Sequence, residues 1–212
     1  MLQMNQLYNM DCMEGMKQFP DKYFELAIVD PPYGINAGNM TMGSGKHKFN
    51  KGKSWDKSIP DKNYFDELFR VSQNQIIWGG NYFTEYLPPS KDWVLWDKRN
   101  PNLSFAEGEL AWVGKGKNLR IFQYYSAQVE EGGKIHPTQK PVKLYKWLLT
   151  NYAKQGDKIL DTHVGSASSL VACYNLGFDY IGFEKDKDYY EGAQERLDIV
   201  MAQVDMFDSL GV

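Results

Sequence analysis

The chain has 212 residues, 42% hydrophobic and 24% charged, enough for one domain with a buried core. A formal net charge of −3 excludes global basicity, so any nucleic-acid contact must come from a local patch. Two cysteines and three scattered histidines exclude a disulfide framework and argue against a metal site. Free thiols suit a reducing cytoplasm. The N-terminus lacks a signal-peptide pattern, and no apolar run approaches the ~20 residues of a membrane helix. Aromatic residues reach 15%, which matters if bases are to be stacked.

In chain order, Phe24–Val29 is a short apolar run that stops at Asp30 and predicts a buried parallel strand. Residues 35–57 hold four glycines, five lysines and one acid, Asp56, with little periodicity. They read as a long basic loop, and such loops are usually functional or disordered. Ile76–Trp78 and Trp93–Trp96 read as further strands. Glu109–Val113 and Leu119–Tyr124 flank Gly114–Asn118, which reads as a hairpin turn. From Pro141, apolar residues at Val142, Tyr145, Leu148, Leu149 and Tyr152, with Gly156 beyond, predict a helix. Strands ending at Asp161 and Glu184 then alternate with helices over Leu170–Tyr174, stopping at Gly177, and Tyr189–Val200. Asp188 and Glu191 are spaced as a capping box for the last helix. The alternation predicts an α/β, Rossmann-like fold: a mostly parallel doubly wound sheet with an antiparallel hairpin. Residues 1–212 form a single domain in this reading.

Four pieces carry chemistry. Asp30-Pro31-Pro32-Tyr33-Gly34 follows a strand, where open α/β sheets place their ligands. An exocyclic amine has its lone pair delocalised into the ring. A carboxylate at Asp30 and the Pro31 carbonyl could each accept one N–H and pull the nitrogen toward tetrahedral geometry. The proline pair would hold that carbonyl rigidly, and Tyr33 offers a ring face for a base. The plainer alternative is a strand-ending turn. Asp161 to Ser169 is an acidic strand end, a small-residue loop and a helix start, suited to close approach of a ligand. Glu184 follows Asp161 by 23 residues, a spacing that suits a ribose hydroxyl. His136-Pro137-Thr138-Gln139-Lys140-Pro141 precedes a helix, and its Thr and Lys could hold a carboxylate; read from the residues alone, it is as well explained as a proline-bounded helix start.

Together these pieces resemble the beta-class amino-methyltransferases of DNA, a circularly permuted branch of the S-adenosylmethionine-dependent fold. The order Asp-Pro-Pro-Tyr, His-Pro-Thr-x-Lys-Pro, cofactor loop is found at residues 30–33, 136–141 and 161–168. Asn9 to Glu14 is similar to the family's Gly-Asp-Cys segment, and Trp96–Arg99 through Glu109–Trp112 to small phage-like members. The resemblance spans roughly residues 3 to 200. It implies that Asp30, Pro31, Pro32 and Tyr33 are catalytic, with Asp30 also lining the S-adenosyl-L-methionine site. It implies that Asp11, with Cys12 adjacent, contacts the cofactor adenine, and that Thr138 and Lys140 approach its methionine carboxylate. Asp161, Gly165 and Ser166 would shape the cofactor loop, and Glu184 would bind ribose. Asp11 and Glu184, from opposite ends of the chain, would converge on one cofactor.

Two departures stand out. The family loop usually reads Asp-Pro-Phe-x-Gly-Ser-Gly, whereas Thr162 and His163 replace Pro-Phe here and Ala167 replaces the last glycine. Larger relatives carry a long target-recognition segment after the middle hairpin, whereas only residues 125–135 lie there in this chain. There is thus no separate target-recognition domain. The basic loop, with Lys46, Lys48, Lys51 and Lys53, would contact DNA, as would Lys98 and Arg99. Lys115, Lys117 and Arg120 are further candidates for phosphates. The expected partner is double-stranded DNA, and a homodimer would widen the footprint. The expected activity is methylation of adenine N6 on a flipped base, of the kind found in restriction-modification systems. The alternatives are a cytosine-N4 enzyme, an RNA or protein amide methyltransferase, and a catalytically degenerate binding module.

Overall fold

A computed structural model describes residues 1–35, 56–100, 106–125 and 138–210, with backbone alone for 204–210. Lys46, Lys48, Lys51, Lys53, His136 and Pro137, and most of the expected basic loop, lie outside them. Among the described residues eight strands form one sheet: β1 (Gln6–Tyr8), β2 (Phe24–Val29), β3 (Ser72–Trp78), β4 (Trp93–Asp97), β5 (Gly108–Val113), β6 (Arg120–Gln123), β7 (Lys158–Asp161) and β8 (Asp179–Phe183). Their order is β1-β8-β7-β2-β3-β5-β4-β6. Every neighbouring pair from β1 to β3 is parallel, β5 is antiparallel to both β3 and β4, and β6 is parallel to β4.

Alternation along the strands builds a core on each face. On β2, Leu26 and Ile28 join one apolar cluster with Leu144, Leu148, Leu170, Val171 and Leu197. These come from α3 (Val142–Tyr152), α4 (Ser168–Leu176) and α5 (Lys187–Leu210). Ala27 and Val29 point the other way, into a cluster with Met16, Phe65 and Leu68, which belong to α1 (Cys12–Met16) and α2 (Lys62–Val71). Two-sided coverage explains why these strands read as unbroken apolar runs. No described helix is long and apolar enough to cross a membrane.

Two sequence expectations are refined, and one helix is added. The antiparallel component exists, but Gly114–Asn118 does not close a two-stranded hairpin, because β4 lies between β5 and β6. The buried Asp92, just before β4, accepts the backbone N–H groups of Gly116 and Asn118 at 2.9 and 2.6 Å, and Asn74 accepts that of Lys115 at 2.8 Å. The loop is thereby drawn across the start of β4. Second, α5 is capped by Asp186, whose Oδ1 accepts from Asp188 and Tyr189 at 3.0 and 3.2 Å. The cap therefore lies two residues before the expected Asp188, because a carboxylate at Ncap reaches the N2 and N3 amides. The added helix, α2, has an Asp61 cap accepting from Tyr64 at 3.2 Å. Its buried Tyr64, Phe65, Leu68 and Val71 follow the helical spacing that could have announced it.

Because β1, β8, β7, β2 and β3 are parallel, their C-terminal ends share one sheet edge. From β2 the chain moves to β3 on one side, and from β7 to β8 on the other. Asp30 and Asp161 therefore flank the point where strand order diverges, the usual crevice for a ligand.

Gly182 of β8 sets the depth of that crevice. A Cβ there would lie 2.7 Å from both Leu170 Cδ1 and Val164 Cγ2, pushing α4 and its leading loop off the sheet. Gly182→Ala should cost about 1–3 kcal/mol by overpacking and lower Tm by several degrees in thermal unfolding. An unchanged Tm would show that the contact gives way freely.

Candidate active site

Asp30 leaves β2 with both carboxylate oxygens engaged. Tyr33 donates its hydroxyl to Oδ1 at 2.5 Å, and Lys140 donates its ammonium to Oδ2 at 2.5 Å. Pro31 between them is buried. The Tyr33 ring lies flat against Tyr82, with centroids 5.0 Å apart and planes inclined by 12°, and Phe83 closes its edge at 6.1 Å. This packing needs Gly79: its φ is +68°, and a Cβ would lie 2.2 Å from Tyr33 Cε1. Burial, reinforced by the Asp30 charge, holds the Tyr33 hydroxyl far above its ordinary pKa, so it remains a donor.

Lys140 stands two residues before α3 and is almost fully buried, with its side chain 2% exposed. Besides Asp30 it meets Glu109 at 3.0 Å, and Glu109 meets Lys98 at 2.5 Å. The Lys140 ammonium also lies 5.2 Å from the Trp78 ring centroid, within cation–π range. The result is a row of alternating charges: Asp30, Lys140, Glu109, Lys98. Burial by itself would raise the Glu109 pKa, but the Lys140 and Lys98 ammoniums overcome it and bring it to about 2. For Lys140, burial opposes the charge, and the two carboxylates prevail and raise its pKa.

The other half of the crevice is the loop after β7. Asp161 is buried and accepts the His163 backbone N–H at 3.0 Å and the Ser169 hydroxyl; its burial pushes the carboxyl up to about 7. Gly165 and Ala167 both adopt left-handed backbone, φ 55° and 61°. Ala167 therefore carries at the N-cap of α4 a conformation that costs a non-glycine residue about 1–2 kcal/mol, which explains why a glycine is expected there. Arg196 of α5 pins this turn, donating to the Ser166 carbonyl at 2.7 Å and the Ser168 hydroxyl at 2.9 Å. Where the family pattern has Pro-Phe, a polar chain has formed: Tyr64 OH and Thr162 Oγ1 are 2.7 Å apart, and Thr162 Oγ1 and His163 Nδ1 2.9 Å. The imidazole packs edge-on against the Tyr64 ring at 5.4 Å.

Glu184 accepts the Gly165 N–H on one oxygen and the Asp186 N–H on the other, each at 2.9 Å; burial raises its pKa. Asp11 caps α1 by accepting from Met13 at 2.9 Å and meets Lys185 at 2.8 Å; the Lys185 hydrogen bond is the main cause of its lowered pKa. Asn9 donates to the Glu184 carbonyl at 2.9 Å. The two ends of the chain thus meet through adjacent parallel strands, Tyr8 beside Phe183. Cys12 is a free thiol that burial pushes up to about 12.

Of the residues singled out from sequence, Asp30–Tyr33, Lys140, Asp161–Ser166, Glu184, Asp11 and Cys12 come together at this edge. Thr138 lies on the approach to α3. Lys98 and the exposed Arg99 follow β4 on the same edge, with Lys98 turned inward onto Glu109. Lys115, Lys117 and Arg120 flank the far ends of β5 and β6, on the opposite edge of the sheet. Sequence reasoning missed Glu109, Tyr64 and Tyr82. Only Tyr64 had a local signal, the spacing of α2; Glu109 enters because β5 runs backwards and begins where its neighbours end.

A family model described as DNA methylase matches residues 73–195, more than half of the chain. The chain belongs to this DNA methylase family. Type II methyltransferase M.HinfI of Haemophilus influenzae is 26% identical to the methylase, over 92% of this chain and 68% of its own length. Type II methyltransferase M2.DpnII of Streptococcus pneumoniae is 23% identical over 91% and 89%. Among solved structures, the M1.HpyAVI–SAM complex superposes with a TM-score of 0.61 at 22% identity, over 91% of this chain and 98% of its own. PvuII DNA methyltransferase, described as cytosine-N4-specific, reaches 0.60 at 13% identity, over 93% and 90%. At these identities the superpositions establish the shared mixed α/β fold.

The methylase's two buried loop groups should oppose each other in pH. Burial lowers His163 from 6.5 to about 4, so the folded chain binds that proton less tightly, and stability is lost as pH falls from 6.5 toward 4. Asp161 is raised from 3.8 to about 7, so its contribution is present below 3.8 and lost as pH rises toward 7. His163→Phe should flatten the acid-side decline while leaving the other, measured as Tm from about pH 4 to 8. An unaltered acid limb would show that His163 is not buried as a neutral ring.

Proposed function

We propose that this methylase transfers a methyl group from S-adenosyl-L-methionine to the N6 amine of adenine in double-stranded DNA. The observation that carries the reading is the Asp30 carboxylate at the end of β2, held by Tyr33 and Lys140, across the strand divergence from the loop led by Asp161. Asp at that position supports adenine, since Asp usually accompanies adenine and Ser cytosine in the family pattern.

The donor set suits the cofactor. Glu184 and Asp11 supply acceptors for ribose and adenine at one end, the small-residue turn at Gly165–Ser166 permits close approach, and the N-terminus of α4 favours an anionic group. Thr138 would meet the methionine carboxylate. When bound, the cofactor supplies an electrophilic methyl on a sulfonium. Asp30 accepts one amine N–H and the Pro31 carbonyl the other, returning the lone pair to nitrogen. The carboxylate then stabilises the positive charge that develops on the amine. Tyr82, 45% exposed, occupies the Tyr33 face that a flipped base takes as Tyr82 swings aside. Arg99 and the lysines of residues 35–57 contact phosphates, and the basic segment takes the place of a recognition domain. A cytoplasmic location follows from this substrate.

Asp30→Ala should reduce methylation of duplex DNA by at least about a thousandfold, ~4 kcal/mol of transition-state stabilisation, with cofactor affinity nearly unchanged by calorimetry. Nucleoside mass spectrometry of treated DNA should give N6-methyladenine. N4-methylcytosine would replace the adenine reading, and undiminished turnover of the variant would remove Asp30 from the mechanism. A homodimer predicts twice the chain mass by light scattering on DNA, and a monomer there excludes it.

A further inference from the structure

Asp30 must polarise an amine, yet an ammonium 2.5 Å away neutralises much of the charge that would do so. A carboxylate has lone pairs for further donors, so the obstacle is electrostatic rather than steric. Lys140 cannot simply let go, because an uncompensated ammonium at 2% exposure is costly. Glu109 removes that difficulty. Its Oε2 lies 3.0 Å from the Lys140 nitrogen: a second carboxylate acceptor already held against the same ammonium. Its other oxygen is fixed by Lys98 at 2.5 Å, and Glu109 sits opposite Trp96 in the β4–β5 ladder, so the acceptor is anchored on rigid strand.

We propose that Glu109 is a positioning residue for methyl transfer: it shares Lys140 with Asp30 and draws the ammonium toward itself as the target amine engages Asp30. In the resting site Lys140 orients Asp30 through the 2.5 Å contact. As the amine binds, Lys140 tightens on Glu109, and the Asp30 charge becomes available to the amine. The proposal rests on the reading of Asp30 as the amine acceptor.

Two measurements test it. In protein carrying ¹⁵N-labelled lysine, the Lys140 signal should stay protonated beyond about pH 9 in Asp30→Asn and in Glu109→Gln, and titrate lower by more than about one unit in the double variant. Release of Lys140 by Asp30→Asn alone would overturn the sharing, and the two single variants decide this even if the double variant does not fold. In single-turnover assays, Glu109→Gln should slow methyl transfer by about tenfold or more, with cofactor Kd changed by less than about threefold, and Glu109→Asp should recover part of the rate. An unchanged rate, or parallel losses of rate and cofactor affinity, would overturn the positioning role. If the wild-type chain transfers no methyl, the functional reading fails, while the lysine titration still reports whether the counter-ion is shared.

Discussion

A lysine ammonium cannot stay charged inside a protein without opposite charge in contact, and that requirement organises this site. Lys140 meets it with two carboxylates from different parts of the chain: Asp30 at the end of β2 and Glu109 at the start of β5. The three come together only if β2, β5 and the approach to α3 reach one sheet edge. Breaking either pair while keeping the ammonium would leave a buried charge poorly compensated, so the ion row also ties the antiparallel part of the sheet to its parallel part.

On the other side of the strand divergence, the ligand-facing turn is held by its own packing and hydrogen bonds. Arg196 fastens Ser166 and Ser168, Glu184 fastens Gly165, and the Thr162–Tyr64 contact links the turn to α2. A Pro-Phe pair would stiffen this loop through a fixed φ and an apolar ring. Here hydrogen bonds stand in for the first and a neutral imidazole for the second. α2 opens a few residues after the basic segment in the chain, so the Tyr64 contact joins the turn to the helix that follows that segment.

Local signals carried much of the architecture. Short apolar runs ending in Asp30, Asp161 and Glu184 announced parallel strands, because strands covered on both faces need no polar alternation. The Pro141 and Gly177 signals marked the start of α3 and the end of α4. What failed locally was pairing. The turn at Gly114–Asn118 resembles any glycine-rich hairpin until Asp92 and Asn74, both distant in sequence, take its amides. Asp188 and Asp186 are both good capping residues, and only the helix geometry selects between them.

The order and spacing of Asp-Pro-Pro-Tyr, the Lys-Pro helix start and the acidic strand ends were determined by sequence alone, because each is a contiguous pattern with its own local physics. From them came the resemblance to a methyltransferase and the expectation that Asp11 and Glu184 meet. Tertiary structure decided which charges share a buried space. Glu109, an unremarkable strand residue in sequence, became a counter-ion of Lys140, and Lys98, expected to face phosphate, turned inward to meet it. Pairwise charge contacts between residues tens of positions apart depend on strand order and direction, which no local stretch of sequence encodes.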